Sequence, residues 1–109
     1  MLAQTGLSRG RCTVTTFEWD GNKASANEQK HDVTFLEATT VFDDALAASV
    51  PDVIHSQGEQ RWVTIGMSSA QRVLVVVHTH SDVGSGEEVI RIISARAATP
   101  REQRMYNEG

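Results

Sequence analysis

Arginines near the C-terminus are the first residues of this chain whose type and spacing point to chemistry. Arg91 and Arg96 lie within Ile90–Tyr106, IRIISARAATPREQRMY, whose β-branched first half is typical of a buried strand. A strand limits the motion of both side chains. The planar guanidinium matches phosphate oxygens and stays charged at neutral pH. Fixed guanidiniums beside a late tyrosine, Tyr106, therefore indicate a phosphate-binding surface.

Strand alternation and residue type leave two roles open for these residues. Arg91 and Arg96 are five residues apart, so regular alternation predicts that they point to opposite faces of the strand. At most one then lines a given cleft, and the alternative role of Arg91 is an ion pair with an acid. Tyr106, the only tyrosine, either stacks on a base or donates a proton, or anchors the last helix with its hydroxyl at the surface.

A carboxylate and a third arginine form the next candidate pair. Glu59 and Arg61 are two residues apart, so they share a face in extended structure. In one interpretation Glu59 is a general base and Arg61 clamps a phosphate. In the other they form a surface ion pair at the start of a strand, which contributes about 0–1 kcal/mol. Both interpretations stay open.

Histidines suit acid–base chemistry because their ordinary pKa lies near neutrality. His55 precedes Glu59 and is a candidate for the same cleft. His78 and His80 share a strand face, and with a third ligand such as Asp82 they would form a metal site. The spacing indicates no third ligand, so two exposed histidines at a strand end are the favoured interpretation.

Hydrophobic periodicity and capping residues predict the elements that must position these side chains. Asp20 offers a cap for the first helix, and Thr34 and Glu37 form a capping box before apolar positions at helical spacing. Thr99 can cap a helix that starts at Pro100, and Glu102 lies where its capping box needs it. After Pro51 the apolar period becomes two. The predicted elements are a strand at Thr13–Glu18, helices at Lys23–His31 and from Thr34, strands at Asp52–Ser56, Arg61–Gly66, Arg72–His80 and Glu88–Ala95, and a final helix from Pro100.

The connections between these elements predict an α+β fold. Short turns join the last four strands, which favours an antiparallel meander because parallel neighbours need longer crossovers. Val73–Val77 is apolar on both faces, so its strand belongs near the centre of the sheet. We therefore predict an N-terminal strand and two helices, then a twisted antiparallel sheet closed by a C-terminal helix.

Length and composition limit the class of protein. A chain of 109 residues supports one core, so we expect a single domain over residues 13–109 behind a flexible N-terminal extension, residues 1–12. The longest apolar run, Val73–Val77, is too short to span a membrane, and the N-terminus has no apolar signal segment, which predicts a cytoplasmic protein. The single cysteine, Cys12, excludes an intrachain disulfide and a cysteine-built zinc site.

The charge is unevenly distributed along the chain. The net charge of −4 argues against a nucleic-acid partner. However, the residues before His55 carry four Lys or Arg against eight Asp or Glu, whereas the rest of the chain carries six of each. A local cationic cleft in the second half is therefore compatible with an acidic chain.

Three blocks of sequence, in order, are similar to the motifs of one protein family. FEWDGNKASANEQKHDVTF, from Phe17, is similar to the family's F-x-W-D followed by Lys, Asn and Lys-His. EQRWVTIG, from Glu59, is similar to E-x-R-W followed by Ile and Gly. RIISARAATPREQRMY, from Arg91, resembles R-I-I-S-A-R with a trailing Glu and Tyr. With these blocks the chain resembles the BrnT family, ribonuclease toxins of bacterial type II toxin–antitoxin modules, over about Phe17–Tyr106.

This resemblance implies a RelE-like fold and an RNA-cleaving activity that halts translation. We expect this activity to need no metal or other cofactor. It also implies a BrnA-like antitoxin partner, through which DNA is bound only indirectly. Such a ribonuclease must deprotonate a 2′-hydroxyl, stabilise a pentacovalent phosphate and protonate the leaving oxygen. We expect the catalytic residues to be Glu59, Arg61, Arg96 and Tyr106, and the RNA-binding residues to be Lys30, His31, His55 and Arg91.

The sequence is also compatible with a structural role for two of these residues and with two other functions. Lys30 and His31 also fit a structural role, as cations placed against the dipole at a helix C-terminus. The acidic balance and apolar residues such as Trp62 are compatible with a non-catalytic module that binds an antitoxin-like protein. A metal-dependent hydrolase built on His78 and His80 is the third hypothesis.

Overall fold

The computed structural model describes residues 14–54, 58–82, 84 and 86–108. The predicted extension, residues 1–12, lies outside the described residues. In the described part of the chain, no helix has the length and apolar content needed to cross a membrane. The elements in chain order are β1 (Val14–Glu18), α1 (Gly21–His31), α2 (Phe35–Thr39), a 3₁₀ turn (Thr40–Asp43), β2 (Ala48–Pro51), β3 (Arg61–Met67), β4 (Val73–Asp82), β5 (Glu87–Ala97) and α3 (Pro100–Glu108).

The strands form one mixed sheet in the order β1-β5-β4-β3-β2. β1 is parallel to β5, and the other neighbouring pairs are antiparallel. The α+β class is confirmed, but the expectation of a purely antiparallel sheet is wrong because the first strand joins the last one in parallel. This pairing is possible since the whole chain between β1 and β5 serves as the long connection that parallel strands need.

The edge strand β2 lies earlier in the chain than predicted. The apolar period of two after Pro51 predicts a strand at Asp52–Ser56, whereas the structure pairs Ala48–Pro51 with β3. The expectation is wrong because Pro51 ends the strand instead of separating it from a helix. Proline has no N–H for a ladder, so it is tolerated at the edge of a sheet. Residues 55–57 lie outside the described part of the chain.

The predicted helix caps are present. The Asp20 carboxylate accepts two backbone N–H groups at the start of α1, at 2.8 and 3.3 Å. The Thr34 hydroxyl accepts the N–H of Glu37 at 3.0 Å at the start of α2. α2 is shorter than its apolar spacing predicts, because the chain tightens into the 3₁₀ turn Thr40–Asp43 after five residues.

Core residues lie on both faces of the sheet. We call the face covered by α1 and α2 the helix face, and it carries the larger cluster. Its buried members are Val33, Phe35, Ala38, Val41, Leu74, Val76, Ile90, Ile92 and Ala95. On the opposite face, Val73, Val75 and Ala98 form a smaller cluster beside α3. β4 therefore buries apolar residues on both faces at the centre of the sheet, as the run Val73–Val77 predicts.

Candidate functional site

Three arginines lie on the sheet face opposite α1 and α2, which we call the arginine face: Arg61, Arg91 and Arg96. Arg61 on β3 and Arg91 on β5 both pair with Thr79 of the central strand. They therefore form one row across three strands. Arg96 pairs with Val75 on the same central strand. Because Val75 and Thr79 are four residues apart in β4, all three arginines lie on one face.

A bulge in β5 brings Arg91 and Arg96 to the same side. The ladder between β4 and β5 skips Ile93, which has no opposite residue in β4. One extra residue in a strand reverses the alternation of faces beyond it. The prediction that Arg91 and Arg96 point to opposite faces is therefore wrong, and both belong to the same surface.

Glu59 lies at the arginine row but pairs with an unexpected arginine. Nη2 of Arg91 donates to Oε1 of Glu59 at 2.5 Å. The two side chains are 45% and 50% exposed, so the pair contributes about 0–1 kcal/mol to stability. The spacing pairs Glu59 with Arg61, whereas the structure shows the contact with Arg91. His55, the other candidate for this cleft, lies outside the described residues.

Arg96 is held in place by the last helix. Its Nη1 and Nη2 donate to Oε1 and Oε2 of Glu102 at 2.8 and 2.9 Å, a bidentate pair. Glu102 also exchanges hydrogen bonds with Thr99 in the predicted capping box. The hydrogen bonds from Arg96 are the main cause that lowers the pKa of Glu102 to about 2. Glu102 is therefore both a cap and a holder of Arg96, and residue spacing indicates only the first role.

Tyr106 lies on the arginine face and packs beside the smaller core cluster. Its hydroxyl donates to Oδ2 of Asp44 at 2.5 Å. This hydrogen bond raises the pKa of Tyr106 and lowers the pKa of Asp44. Asp44 also accepts the backbone N–H groups of Leu46 and Met67. The contact ties α3 to the segment before β2, which favours the anchoring interpretation of Tyr106.

Lys30 and His31 lie in the last turn of α1 and line a shallow pocket of about 240 Å³. Ser94, which lies between Arg91 and Arg96 in β5, lines the same pocket. The pocket therefore adjoins the arginine face around the outer edge of β5. Its full lining is Lys23, Ala26, Asn27, Lys30, His31, Ile93 and Ser94.

Comparison with known proteins identifies the family. Residues 19–102 match the family model described as ribonuclease toxin, BrnT, of type II toxin–antitoxin system. The chain belongs to the BrnT family. The 1.1 Å crystal structure of the Brucella abortus ribonuclease toxin, BrnT, is similar with a TM-score of 0.56 and 25% identity, over 80% of this chain and 99% of that chain. A comparison with curated proteins gives no match.

Membership of the BrnT family confirms the resemblance that the three sequence blocks indicate. The chain is a toxin of a type II toxin–antitoxin system, and the family supports ribonuclease activity. A toxin of this type implies an antitoxin protein as partner. The five-stranded mixed sheet and its helices are also similar to the BrnT structure.

Asn27, within the first BrnT block, has a role that residue spacing did not indicate. Its side-chain amide donates to the carbonyls of Val33 and Ala95 at 3.0 and 2.8 Å and accepts the N–H of Ala95 at 3.1 Å. β1 ends opposite Arg91, so Asn27 replaces a strand partner at the outer edge of β5. The available signal is its position three residues after Ala24, which packs against the core.

The two histidines of β4 in this BrnT chain have separate partners. His78 is only 4% exposed, so the expectation of two exposed histidines is wrong for it. Its Nδ1 donates to the Thr79 carbonyl and its Nε2 accepts the Thr64 hydroxyl, at 3.2 and 2.7 Å, and burial lowers its pKa. His80 contacts Glu88 at 2.8 Å. Among the described residues, no group of three or more His, Cys, Asp or Glu is placed to hold a metal ion.

Proposed function

We propose that this chain is a RelE-like endoribonuclease that acts in the cytoplasm and halts translation. It cleaves RNA without a metal, by attack of a 2′-hydroxyl on the adjacent phosphate. A BrnA-like antitoxin neutralises it and provides the only link to DNA. The observation that supports this proposal is the placement of Arg61, Arg91 and Arg96 on one sheet face. Family membership supports the ribonuclease class.

The arginines supply the positive charge that the reaction needs. Attack of the 2′-hydroxyl forms a pentacovalent phosphate that carries extra negative charge. Arg96 is the best placed to stabilise it, because Glu102 fixes the plane of its guanidinium while the side chain remains 41% exposed. Arg61 clamps a second oxygen from the neighbouring row. Removal of one preorganised donor of this kind costs about 10²–10³ in rate.

Glu59 is the proposed general base. Its carboxylate lies beside Arg91 at the arginine row, and it is half exposed, so RNA can reach it. Proton transfer from the 2′-hydroxyl to Glu59 forms the nucleophile, and Arg91 orients the carboxylate and contacts the RNA phosphates. A carboxylate in this role contributes about 10²–10⁴ in rate.

Tyr106 is the candidate proton donor for the leaving 5′-oxygen. In the described geometry its proton is directed to Asp44, so it would have to leave that hydrogen bond to act. Tyr106→Phe tests the role. Cleavage at least tenfold slower, in a variant that is fully folded at the assay temperature, would support proton donation. Unchanged cleavage would leave Tyr106 as an anchor of α3 and the donor would be another group.

The α1 pocket is the proposed extension of the RNA surface. Lys30 and His31 lie beside Ser94 at the outer edge of β5, next to the strand that carries Arg91 and Arg96. A phosphate that binds there continues the backbone of an RNA whose scissile phosphate contacts Arg96. These residues bind RNA without taking part in bond cleavage, and we propose the same role for His55.

The decisive experiment measures RNA cleavage and growth arrest for wild type, Arg96→Ala and Arg96→Lys. Cleavage should persist in EDTA and fall by about 10²–10³ in Arg96→Ala. Arg96→Lys should stay impaired, because an ammonium cannot make the bidentate contacts. Arg104→Ala, which removes an exposed arginine from α3, is the matched control and should behave as wild type. Full toxicity of Arg96→Ala would refute the proposed site.

A non-catalytic module that binds an antitoxin-like protein is the second candidate. Two observations favour it. Arg91 and Arg96 are both paired with acids, and apolar side chains such as Leu46, 73% exposed, lie on the surface. Folded wild-type protein that binds its antitoxin tightly but leaves RNA intact would establish this function instead.

A further inference from the structure

An apolar groove runs along the arginine face between α3 and the edge strand β2. Its volume is about 370 Å³. Its floor is formed by β3 and β4, and α3 forms one wall. The lining residues are Leu46, Ala48, Val50, Val63, Ile65, Val75, Glu102, Met105 and Tyr106.

The groove exposes large apolar side chains at its rims. Leu46 is 73% exposed, Met105 is 64% exposed and Val50 is 57% exposed. All three belong to the same lining, so the exposure forms one patch instead of isolated positions. Contiguous apolar patches with polar borders mark sites where another protein binds.

The floor of the groove determines the shape of the occupant. An occupant that lies on the face of a sheet meets side chains, not the N–H and C=O groups of a strand edge. An extended segment would leave its own backbone groups unpaired over Val63 and Ile65, which is costly. A helix satisfies its backbone internally and places apolar residues at i, i+3, i+4 and i+7 into such a groove. The occupant is therefore an amphipathic helix that packs beside α3.

The charged residues beside the groove indicate which charges the polar side of the occupant carries. Arg101 lies one turn before Met105 on α3. Glu102 is the acid in the lining, and its charge is already paired with Arg96. A helix with acidic residues on the flank that faces α3 is therefore complementary to Arg101.

We infer that this groove binds an amphipathic helix of the antitoxin, with acidic residues beside Arg101. The type II toxin family implies an antitoxin partner, and the groove provides the apolar surface that such a partner needs. A helix seated there lies over Glu102 and closes the approach to Arg96. The consequence for inhibition rests on the proposed ribonuclease function, since the same helix then competes with RNA.

The test measures the dissociation constant of the purified antitoxin from the same module for wild-type toxin and single variants. Leu46→Glu and Met105→Glu should each weaken binding about 30-fold or more, the range of an interface hot spot. Leu36→Glu is the matched control. Leu36 is 70% exposed but lies on α2, so this variant should bind within about twofold of wild type. Circular dichroism and melting temperature confirm that each variant is folded.

The charged rim has its own test. Arg101→Glu should weaken antitoxin binding more than Arg104→Glu, which carries the same charge change on the same helix but is not one turn from Met105. The difference should shrink as salt is raised from 50 to about 500 mM. Equal effects of the two variants would refute the acidic flank of the occupant.

Three outcomes would overturn the inference. Wild-type affinity in both Leu46→Glu and Met105→Glu would place the antitoxin elsewhere. An equal loss in Leu36→Glu would show that the effect is not specific to the groove. A wild-type toxin that elutes as a dimer, and that Leu46→Glu converts to a monomer, would assign the groove to a second copy of the chain.

The same proteins separate this inference from the proposed function. If wild-type toxin cleaves RNA and the groove variants bind antitoxin normally, the groove assignment fails and the ribonuclease assignment stands. If wild-type toxin leaves RNA intact and the groove variants lose antitoxin binding, the groove assignment stands and the ribonuclease assignment fails.

Discussion

Replacing Glu102 with Gln should make the toxin less stable in a strongly pH-dependent way. The pKa of Glu102 falls from an ordinary 4.5 to about 2, mainly through the hydrogen bonds from Arg96. At full value a shift of this size corresponds to about 3 kcal/mol of folding free energy. Glu102 and Arg96 are 29% and 41% exposed, so solvent screening reduces it. We expect Glu102→Gln to lower the free energy of unfolding at pH 7 by about 1–2 kcal/mol.

The pH dependence follows from the direction of the shift. The folded state holds Glu102 with the lower pKa, so the unfolded state binds its proton first as the solution is acidified. The stabilisation is therefore complete above pH 4.5 and disappears as the pH falls towards 2. Glu102→Gln has no charge to lose at this position. The difference in unfolding free energy between this variant and wild type should therefore disappear as the pH falls from 4.5 towards 2.

Urea unfolding followed by tryptophan fluorescence measures this gap. The free energy of unfolding is compared for wild type and Glu102→Gln at several pH values down to the lowest at which both remain folded. Glu108→Gln, at the exposed far end of α3, is the matched control and should show a smaller gap. A gap for Glu102→Gln that stays constant with pH, or is absent at pH 7, would refute the role of Glu102 as the charged holder of Arg96.

Three further substitutions test the packing around the site by urea or thermal unfolding. Asn27→Ala should lower the free energy of unfolding by about 2–4 kcal/mol, because it removes the partner of the Val33 carbonyl and of the N–H and C=O of Ala95; a loss comparable to that of an exposed helix residue would contradict this. Gly66→Ala should cost about 1–3 kcal/mol, since an added Cβ would lie 2.8 Å from Cγ1 of Val41; an unchanged melting temperature would show that the contact relaxes freely. Arg72→Ala should cost about 1–3 kcal/mol at pH 7, because Glu37 loses the partner that lowers its pKa; the loss should diminish in acid, where Glu37 becomes protonated.

Local signals in the sequence predict most of the elements. The caps at Asp20, Thr34 and Thr99 act over three residues, so they can be recognised without knowledge of the fold. The pairing of β1 with β5 could not be predicted in this way, because it joins residues more than 70 positions apart, such as Val14 and Glu87. No periodicity within β1 specifies that partner.

The candidate site was predictable in residue type but not in pairing. Strand alternation indicates that Glu59 and Arg61 share a face, yet it cannot tell which arginine meets the carboxylate. Arg61 is the nearest in sequence, but the ladder places Arg91 in the same row and the carboxylate reaches it. The sequence predicts only part of the role of Glu102. Its role as a cap is local, whereas its contact with Arg96 depends on where α3 turns back over the sheet.

The bulge at Ile93 determines on which face of the sheet Arg96 lies. β1 ends opposite Arg91, and from there the outer edge of β5 is satisfied by the Asn27 amide, which binds both the N–H and the C=O of Ala95. With the extra residue, Ala95 points into the helix-face core at 1% exposure and Arg96 points to the arginine face. Without it, regular alternation would direct Arg96 into that core, where an unpaired guanidinium is costly. The position of Arg96 therefore depends on a helix on the other side of the sheet, so a change at Asn27 should impair the arginine surface as well as stability.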